Sequence, residues 1–270
     1  MQYHPDFEDY ARYYARSMAR LLADKPVATN WKPDDPHVLD WLRDADVVDC
    51  DLIPSGSNYA YLLSLRHDQR GDGLAVYKPA EGEAPLWDFP SGSLYVRETA
   101  AYELSRALGW DLVPPTVVRD GPMGPGSVQL FIDADLVQNY FTMRDKRRSD
   151  FEVVALFDCV ANNADRKAGH CLLGRDGHIW CIDHGLTFHE QWKLRTVIWD
   201  FYSQDVPARL IDDLRSLRVA LSDGSETVQS LSGYLTPSER RALERRLDSL
   251  LARPCYPPPG PHRSVPWPPI

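Results

Sequence analysis

No run of apolar residues in this chain approaches the roughly 20 that a membrane span requires, and its first twenty residues, MQYHPDFEDYARYYARSMAR, are too polar for a secretory leader. Both absences speak against stable membrane insertion and predict a cytoplasmic protein. Positive charge is also scarce: 30 Lys and Arg stand against 39 Asp and Glu, a net charge of -9. The chain therefore lacks the basic surplus with which nucleic-acid grooves and anionic bilayers are engaged. Its five cysteines are odd in number and contain no Cys-x-x-Cys pair, which excludes a disulfide framework and a zinc pattern. Cys50, Cys159, Cys171 and Cys181 fall inside apolar strand or helix patterns, where a thiol packs as a small hydrophobe. With 43% hydrophobic and 26% charged residues over 270 positions, what remains is a globular composition large enough for a two-lobed domain.

The stretch NNADRKAGHCLLGRDGHIWCIDHG, 162–185, organises the rest. Asp176-Gly177 predicts a two-residue turn between antiparallel strands, with Arg175 facing His178. Carried outward, that register sets Cys171 opposite Ile182 and His170 opposite Asp183, with Asp165 just beyond. Three polar side chains then converge at the open end of a hairpin. Phosphoryl transfer needs such a convergence, because one carboxylate must orient an attacking hydroxyl while others hold a cation against nucleotide phosphates.

Upstream, residues 6–24 carry Phe7, Tyr10, Tyr14, Met18, Leu21 and Leu22 at helical spacing. A polar, Pro-rich linker at 25–36 and a short helix near 38–43 follow. From Val47 the pattern becomes β: VVDCDLI, YAYLLSLR and LAVYKP predict three antiparallel strands. The connection Pro54 to Asn58 offers small residues and free backbone N–H groups suited to phosphates. Residues 80–93 form a loop too apolar for a spacer, with Trp87 and Phe89, a lid or a plug. LYVRETAAYELSRALGW, 94–110, predicts a helix packed on the sheet. Residues 113–132 read as two further strands.

Ser149 and Glu152 predict a capping box opening the helix DFEVVALFDCVA, apolar nearly all round. Amphipathic helices are expected at 207–221 and 236–252, and KLRTVIWDF as a helix or an extended segment. The tail 254–270 favours polyproline II; it is expected to lie across its own domain through Trp267, the alternative being a docked partner.

The order of these motifs resembles the bilobal kinase superfamily, and Asp165-Arg166-Lys167 followed by Ile182-Asp183-His184-Gly185 is similar to its atypical branch: phosphatidylinositol 3-/4-kinases, HipA-type kinases and secretory-pathway kinases. VYKPAEGEAPLWDFPSGSLYVRETAAY, GWDLVPPTVVRDGPMGPGSVQ, NNADRKAGH and IDHGLTFHEQWKLRTVIW, within 46–270, resemble a bacterial phosphatidylinositol 3-/4-kinase-like family. The resemblance describes fold descent and does not name a lipid acceptor. It implies an α+β fold with an antiparallel N-lobe sheet at 46–133 and a mainly helical C-lobe at 134–253. A helical extension at 1–45 precedes them and the Pro-rich tail follows.

It further implies ATP and Mg2+ as cofactors and an unidentified hydroxyl-bearing acceptor, leaving the oligomeric state open. Ser55, Gly56, Ser57 and Lys78 would hold the phosphates, with Glu98 as the partner of Lys78 and Glu103 as its competitor. Gln129 to Ile132, including Phe131, would form the hinge at the adenine edge. Asp165 would be the catalytic carboxylate, Asp183 the main metal ligand and Arg166 part of a buried ion pair, with Lys167 on the transferred phosphate or in solvent. His170 departs from the family, which usually has Asn there as second metal ligand; imidazole suits Mn2+ or Zn2+ better than Mg2+. Asn162 and Asn163 either supply a metal oxygen or cap the preceding helix, and His184 and His189 are expected to bond each other. Two rival readings stand beside the phosphotransferase. One is a nucleotide-binding pseudokinase scaffold; the other is a metallohydrolase built on Asp165, His170, Asp183 and His184.

Overall fold

Short apolar runs bounded by turn residues make the strands of this chain, and a 3.6-residue period makes its longer helices. The computed structural model describes residues 5–23, 25, 31–53, 58–260 and 263–270, with side chains from residue 12 onward. Helix α1 (Pro5–Ala23) and the short α2 (Val38–Asp44) precede β1 (Asp46–Leu52), β2 (Tyr61–His67) and β3 (Gly71–Pro79). Helix α3 (Leu94–Leu108) separates these from β4 (Thr116–Gly121) and β5 (Gly124–Leu130). The five strands form one antiparallel sheet in the order β1-β2-β3-β5-β4.

The central strands read as continuous apolar runs because both faces of the sheet are covered. On one face Leu63, Leu65, Ala75, Tyr77, Val128 and Leu130 pack with Trp31 and with Val38, Trp41 and Leu42 of α2. Gly73 is required there: a Cβ would sit 2.4 Å from the Trp31 ring. On the other face Leu62, Leu74 and Ile53 bury Met18 of α1, with Val76 and Phe131 alongside. Strand alternation puts Lys78 on this second face, two residues beyond Val76. Helix α1 thus packs on the face that carries Lys78, while Trp31 and α2 cover the opposite face.

The C-lobe follows as α4 (Tyr140–Met143), α5 (Arg148–Ala161), the hairpin β6 (Cys171–Leu173) and β7 (Ile179–Cys181), then α6 (Ala208–Asp223), α7 (Glu226–Tyr234) and α8 (Pro237–Ala252). Its core is centred on α5, whose Phe151, Val154, Leu156, Phe157 and Val160 are fully buried. Ala100, Ala101, Leu104 and Leu108 of α3 join that same core. Helix α3, expected to pack on the sheet, also runs against the C-lobe, and this position decides how the site is assembled.

Several local expectations give way. The capping box at Ser149 and Glu152 does not form, because α5 begins at Arg148 after a non-helical Arg147 and the Arg147 guanidinium holds Asp150 at 2.7 Å. KLRTVIWDF, expected as a helix or an extended segment, is not the helix; it is a loop with one parallel bridge, Thr196 to Arg166. The tail does lie on its own domain, but Trp267 is 69% exposed while Val265 and Ile270 pack into the core. Cys159, Cys171 and Cys181 are buried, Cys50 and Cys255 half-buried, and all five are free thiols. Among the described residues no helix is long and apolar enough to cross a membrane.

Candidate active site

The hairpin turn contains one residue more than a two-residue Asp-Gly turn. Gly174 and His178 close a three-residue loop in which Gly177 takes the left-handed conformation, φ 81°, as in a type I turn ending in a bulge. The expected register therefore shifts by one: Cys171 pairs with Cys181 instead of Ile182, and the Ile182 N–H donates to the His170 carbonyl at 3.0 Å. His170 still reaches Asp183, since it now lies diagonal to it across the hairpin mouth. His170 Nε2 is 3.1 Å from Asp183 Oδ2.

The loop before the hairpin is set by the end of α5. Asn162 caps the helix in the left-handed region, φ 55°. Its amide donates to the His189 and Gln191 carbonyls and accepts from the Lys193 N–H. Asn163 donates to Asp158 at 3.0 Å while its own oxygen receives the Asp165 N–H at 3.0 Å. Both asparagines are committed to the loop, so neither offers its side-chain oxygen to a cation. Beneath them Arg166 is fully buried on Asp158, at 2.9 Å, and also donates to the His170 and Ile182 carbonyls. Burial alone would lower the Arg166 pKa, but Asp158 outweighs it and holds the charge.

Arg166 also reaches His184 Nε2 at 2.7 Å. A guanidinium only donates, so Nε2 accepts and the proton sits on Nδ1. Burial first, then the Arg166 charge, push His184 well below its ordinary value. His184 is therefore a neutral support for Arg166. The expected His184–His189 bond is absent: His189 instead meets the Asp88 carbonyl at 3.0 Å and stacks edge-on against Phe89. The loop 80–93 is thus docked on the segment after Asp183. Phe89 is buried, Asp88 and Lys193 form a nearly buried pair at 2.8 Å, and Trp87 is left 92% exposed.

Above this base the polar groups converge. Lys78, at the end of β3, is bonded at once to Glu98 of α3 and to Asp183, the latter at 2.8 Å. Burial opposes the ammonium, but Asp183 and Glu98 raise its pKa well above the usual value and keep it charged. Glu103, the competitor, binds Arg106 at 2.8 Å. Asp165, His170 and Asp183 each place a ligand atom within 4.8 Å of the others, and Lys167 Nζ lies 3.3 Å from Asp165. Lys167 is accordingly paired to the carboxylate and not simply in solvent. Burial, with Asp183 adding to it, pushes the Asp165 carboxyl up to about 6 against Lys167 and Arg195. Burial takes His170 down to about 3, a neutral imidazole. At Asp183 burial is overcome by the Lys78 ammonium, which holds the carboxyl far below the carboxylate range.

Two anionic or imidazole donors around a third, partly exposed carboxylate fit a divalent cation. The nitrogen donor suits Mn2+ as well as the carboxylates suit Mg2+. His184 lies outside this cluster, which leaves the four-residue metallohydrolase set one ligand short.

Ser55, Gly56 and Ser57 lie outside the described residues. Of Gln129 to Ile132, expected at a hinge, Gln129 and Leu130 belong to β5. Gln129 is paired with β3 and β4 on either side, and its side chain donates to Thr116 at 2.9 Å. The Phe131 N–H donates to the Leu74 carbonyl at 3.0 Å. As β5 is an inner strand to its end, Ile132 is the first residue past the sheet's pairing. Sequence reasoning also missed Arg97, whose partner is 142 residues away. No local pattern announces such a pair.

No family model matches the chain. Protein Rv2133c of Mycobacterium tuberculosis (strain ATCC 25618 / H37Rv) is 38% identical to it over 270 residues, covering 87% of this chain and 95% of that protein. Phosphatidylinositol 4-kinase gamma 4 of Oryza sativa subsp. japonica is 32% identical over 195 residues, 57% of this chain and 33% of that protein. Among solved structures, the Golgi casein kinase with Mn/ADP bound superposes with a TM-score of 0.53 at 15% identity, over 89% of this chain and 88% of that one. The fold is thus atypical kinase-like, and these likenesses do not single out the HipA or phosphatidylinositol 4-kinase branch.

Proposed function

Since the chain belongs to the family of Mycobacterium tuberculosis Protein Rv2133c and has an atypical kinase-like fold, we propose that it is an ATP- and divalent-metal-dependent phosphotransferase acting on a hydroxyl acceptor. The observation that carries this reading is Lys78, one ammonium held between Glu98 and Asp183, the latter clustered with Asp165 and His170. Glu98 orients the amine, and the amine is available to nucleotide phosphates by exchanging its bond to Asp183. Asp183 and His170 are the residues that would hold the cation, whose chemistry there is to neutralise charge on the phosphates. Mn2+ and ADP are bound in the Golgi casein kinase structure, and the imidazole of His170 makes Mn2+ as suitable here as Mg2+.

Asp165 accepts the hydrogen bond of the acceptor hydroxyl and orients it; its carboxyl, raised to about 6, suits a group that takes up and releases a proton near neutrality. Lys167 balances its charge. The net charge of -9 favours an acceptor other than a polyanionic lipid headgroup and weighs against nucleic-acid partners.

The test is mass-spectrometric detection of phosphate on protein and small-alcohol acceptors, with ATP and either Mg2+ or Mn2+. Asp165→Ala is expected to keep nucleotide binding and lose turnover by on the order of 10²-fold or more. Equal turnover in the variant removes Asp165 from the mechanism. A pseudokinase is the second reading, favoured by His170 standing where the superfamily has Asn and occupying an oxygen of Asp183. It predicts nucleotide binding without transfer, and phosphate or AMP found on any acceptor excludes it.

A further inference from the structure

Helix α3 contributes two adjacent residues to the site, and only Glu98 has so far been used. Glu98 grips the turn after Asp183 at its start: its Oε2 accepts the His184 N–H at 2.8 Å. Arg97 grips the same turn at its end by donating to the Thr187 carbonyl. Within the turn the Thr187 hydroxyl donates to the His184 carbonyl at 2.7 Å. Gly185 passes so close to α3 that a Cβ would lie 3.2 Å from that of Leu94. Asp183 itself is left-handed, φ 62°, a conformation a non-glycine residue keeps only when its surroundings impose it.

Arg97 is in turn fixed from the C-lobe. Its guanidinium forms a buried pair with Glu239 and lies 5.0 Å over the Phe89 ring. Glu239 uses its other oxygen to cap α8, accepting from the Thr236 N–H at 2.9 Å and the Thr236 hydroxyl at 2.8 Å. A helix cap in the C-lobe is therefore tied through one arginine to the backbone that presents Asp183.

We propose that Arg97 is a positioning residue. Through Glu239 and the Thr187 carbonyl it fixes the 184–187 turn, and with it the direction in which Asp183 faces Lys78 and His170. The use of the site rests on the phosphotransferase reading; the geometric claim does not. On this proposal α3 is clamped between the lobes and the Lys78–Glu98 pair needs no partner protein or modification to assemble.

ATP is titrated calorimetrically, with and without Mn2+, into wild type, Arg97→Gln, Arg97→Lys and Glu239→Gln; the last keeps a residue able to cap α8. The quantity read is the gain in affinity that the metal confers. In Arg97→Gln and Glu239→Gln that gain is expected to fall 10- to 100-fold, roughly the cost of losing a partner that orients a metal ligand, with partial recovery in Arg97→Lys. Metal-free ATP affinity is expected to stay within about twofold, because Lys78 keeps Glu98. A merely structural role would lower the melting temperature and leave the gain untouched, and that result overturns the proposal. If wild type shows no gain, the phosphotransferase reading fails and amide exchange decides the inference. Exchange at 184–187 at least about tenfold faster in Arg97→Gln or, should that variant not fold, in Glu239→Gln, with β6 and β7 unchanged, upholds it. Unaltered exchange refutes it.

Discussion

Two cations sit a few residues apart in space and serve opposite ends. Arg166 and its partner Asp158 have no exposed side-chain surface at all, and the guanidinium is spent on a carboxylate, two carbonyls and an imidazole. Lys78 is 25% exposed and its partner Asp183 is 45% exposed. The first pair is saturated and closed. The second has a carboxylate that can exchange partners when phosphate or a cation arrives. Saturation and burial thus separate the ion pair that supports the loop from the one left open to solvent, although each joins one basic and one acidic side chain.

Breaking the closed pair should have the largest effect. Arg166→Met leaves Asp158 buried and uncompensated, and is expected to cost about 3–5 kcal/mol in urea unfolding, or to abolish folding. A change below about 1 kcal/mol would mean that Asp158 is solvated after all. Lys78→Met should reverse the pattern: turnover falls about 10²–10³-fold, while the unfolding midpoint moves far less than in Arg166→Met.

The docked loop gives an intermediate case. Burial would raise the Asp88 carboxyl, but Lys193 outweighs it and holds it below the ordinary 3.8. A carboxyl lowered in the folded state contributes stability above its unfolded value, and loses it as pH falls through the folded one. Asp88→Asn is therefore expected to be less stable than wild type at neutral pH, with the gap closing below pH 3.8. A gap independent of pH would contradict the pairing. The smallest effect is expected at Lys167, paired to Asp165 in a partly exposed position; Lys167→Ala should change stability by less than about 1 kcal/mol.

Local patterns carried much of this architecture. The pattern of LAVYKP placed Lys78 at the end of a strand, and the spacing of Asp165, His170 and Asp183 around a Gly-containing hairpin brought the three together. The register slipped by one because an Asp-Gly pair serves both a two-residue turn and a bulged three-residue turn, and only the backbone tells them apart. Helix α4, capped by Asn139, and helix α7 went unread because a helix of four residues, or of nine with few apolar anchors, is a weak periodic signal. Arg97 with Glu239, and Asp88 with Lys193, are separated by more than 100 residues, so their pairing is set by how the lobes pack. Trp267 was the natural anchor by size, yet Val265 and Ile270 fill the space the core leaves.

The most direct measurement is calorimetric titration of ATP into wild type and Asp183→Ala, each with and without Mg2+ or Mn2+. The account predicts metal-enhanced binding in wild type that disappears in the variant. Binding that is equal in both proteins and indifferent to metal would contradict it, leaving a nucleotide-binding scaffold on an atypical kinase-like fold.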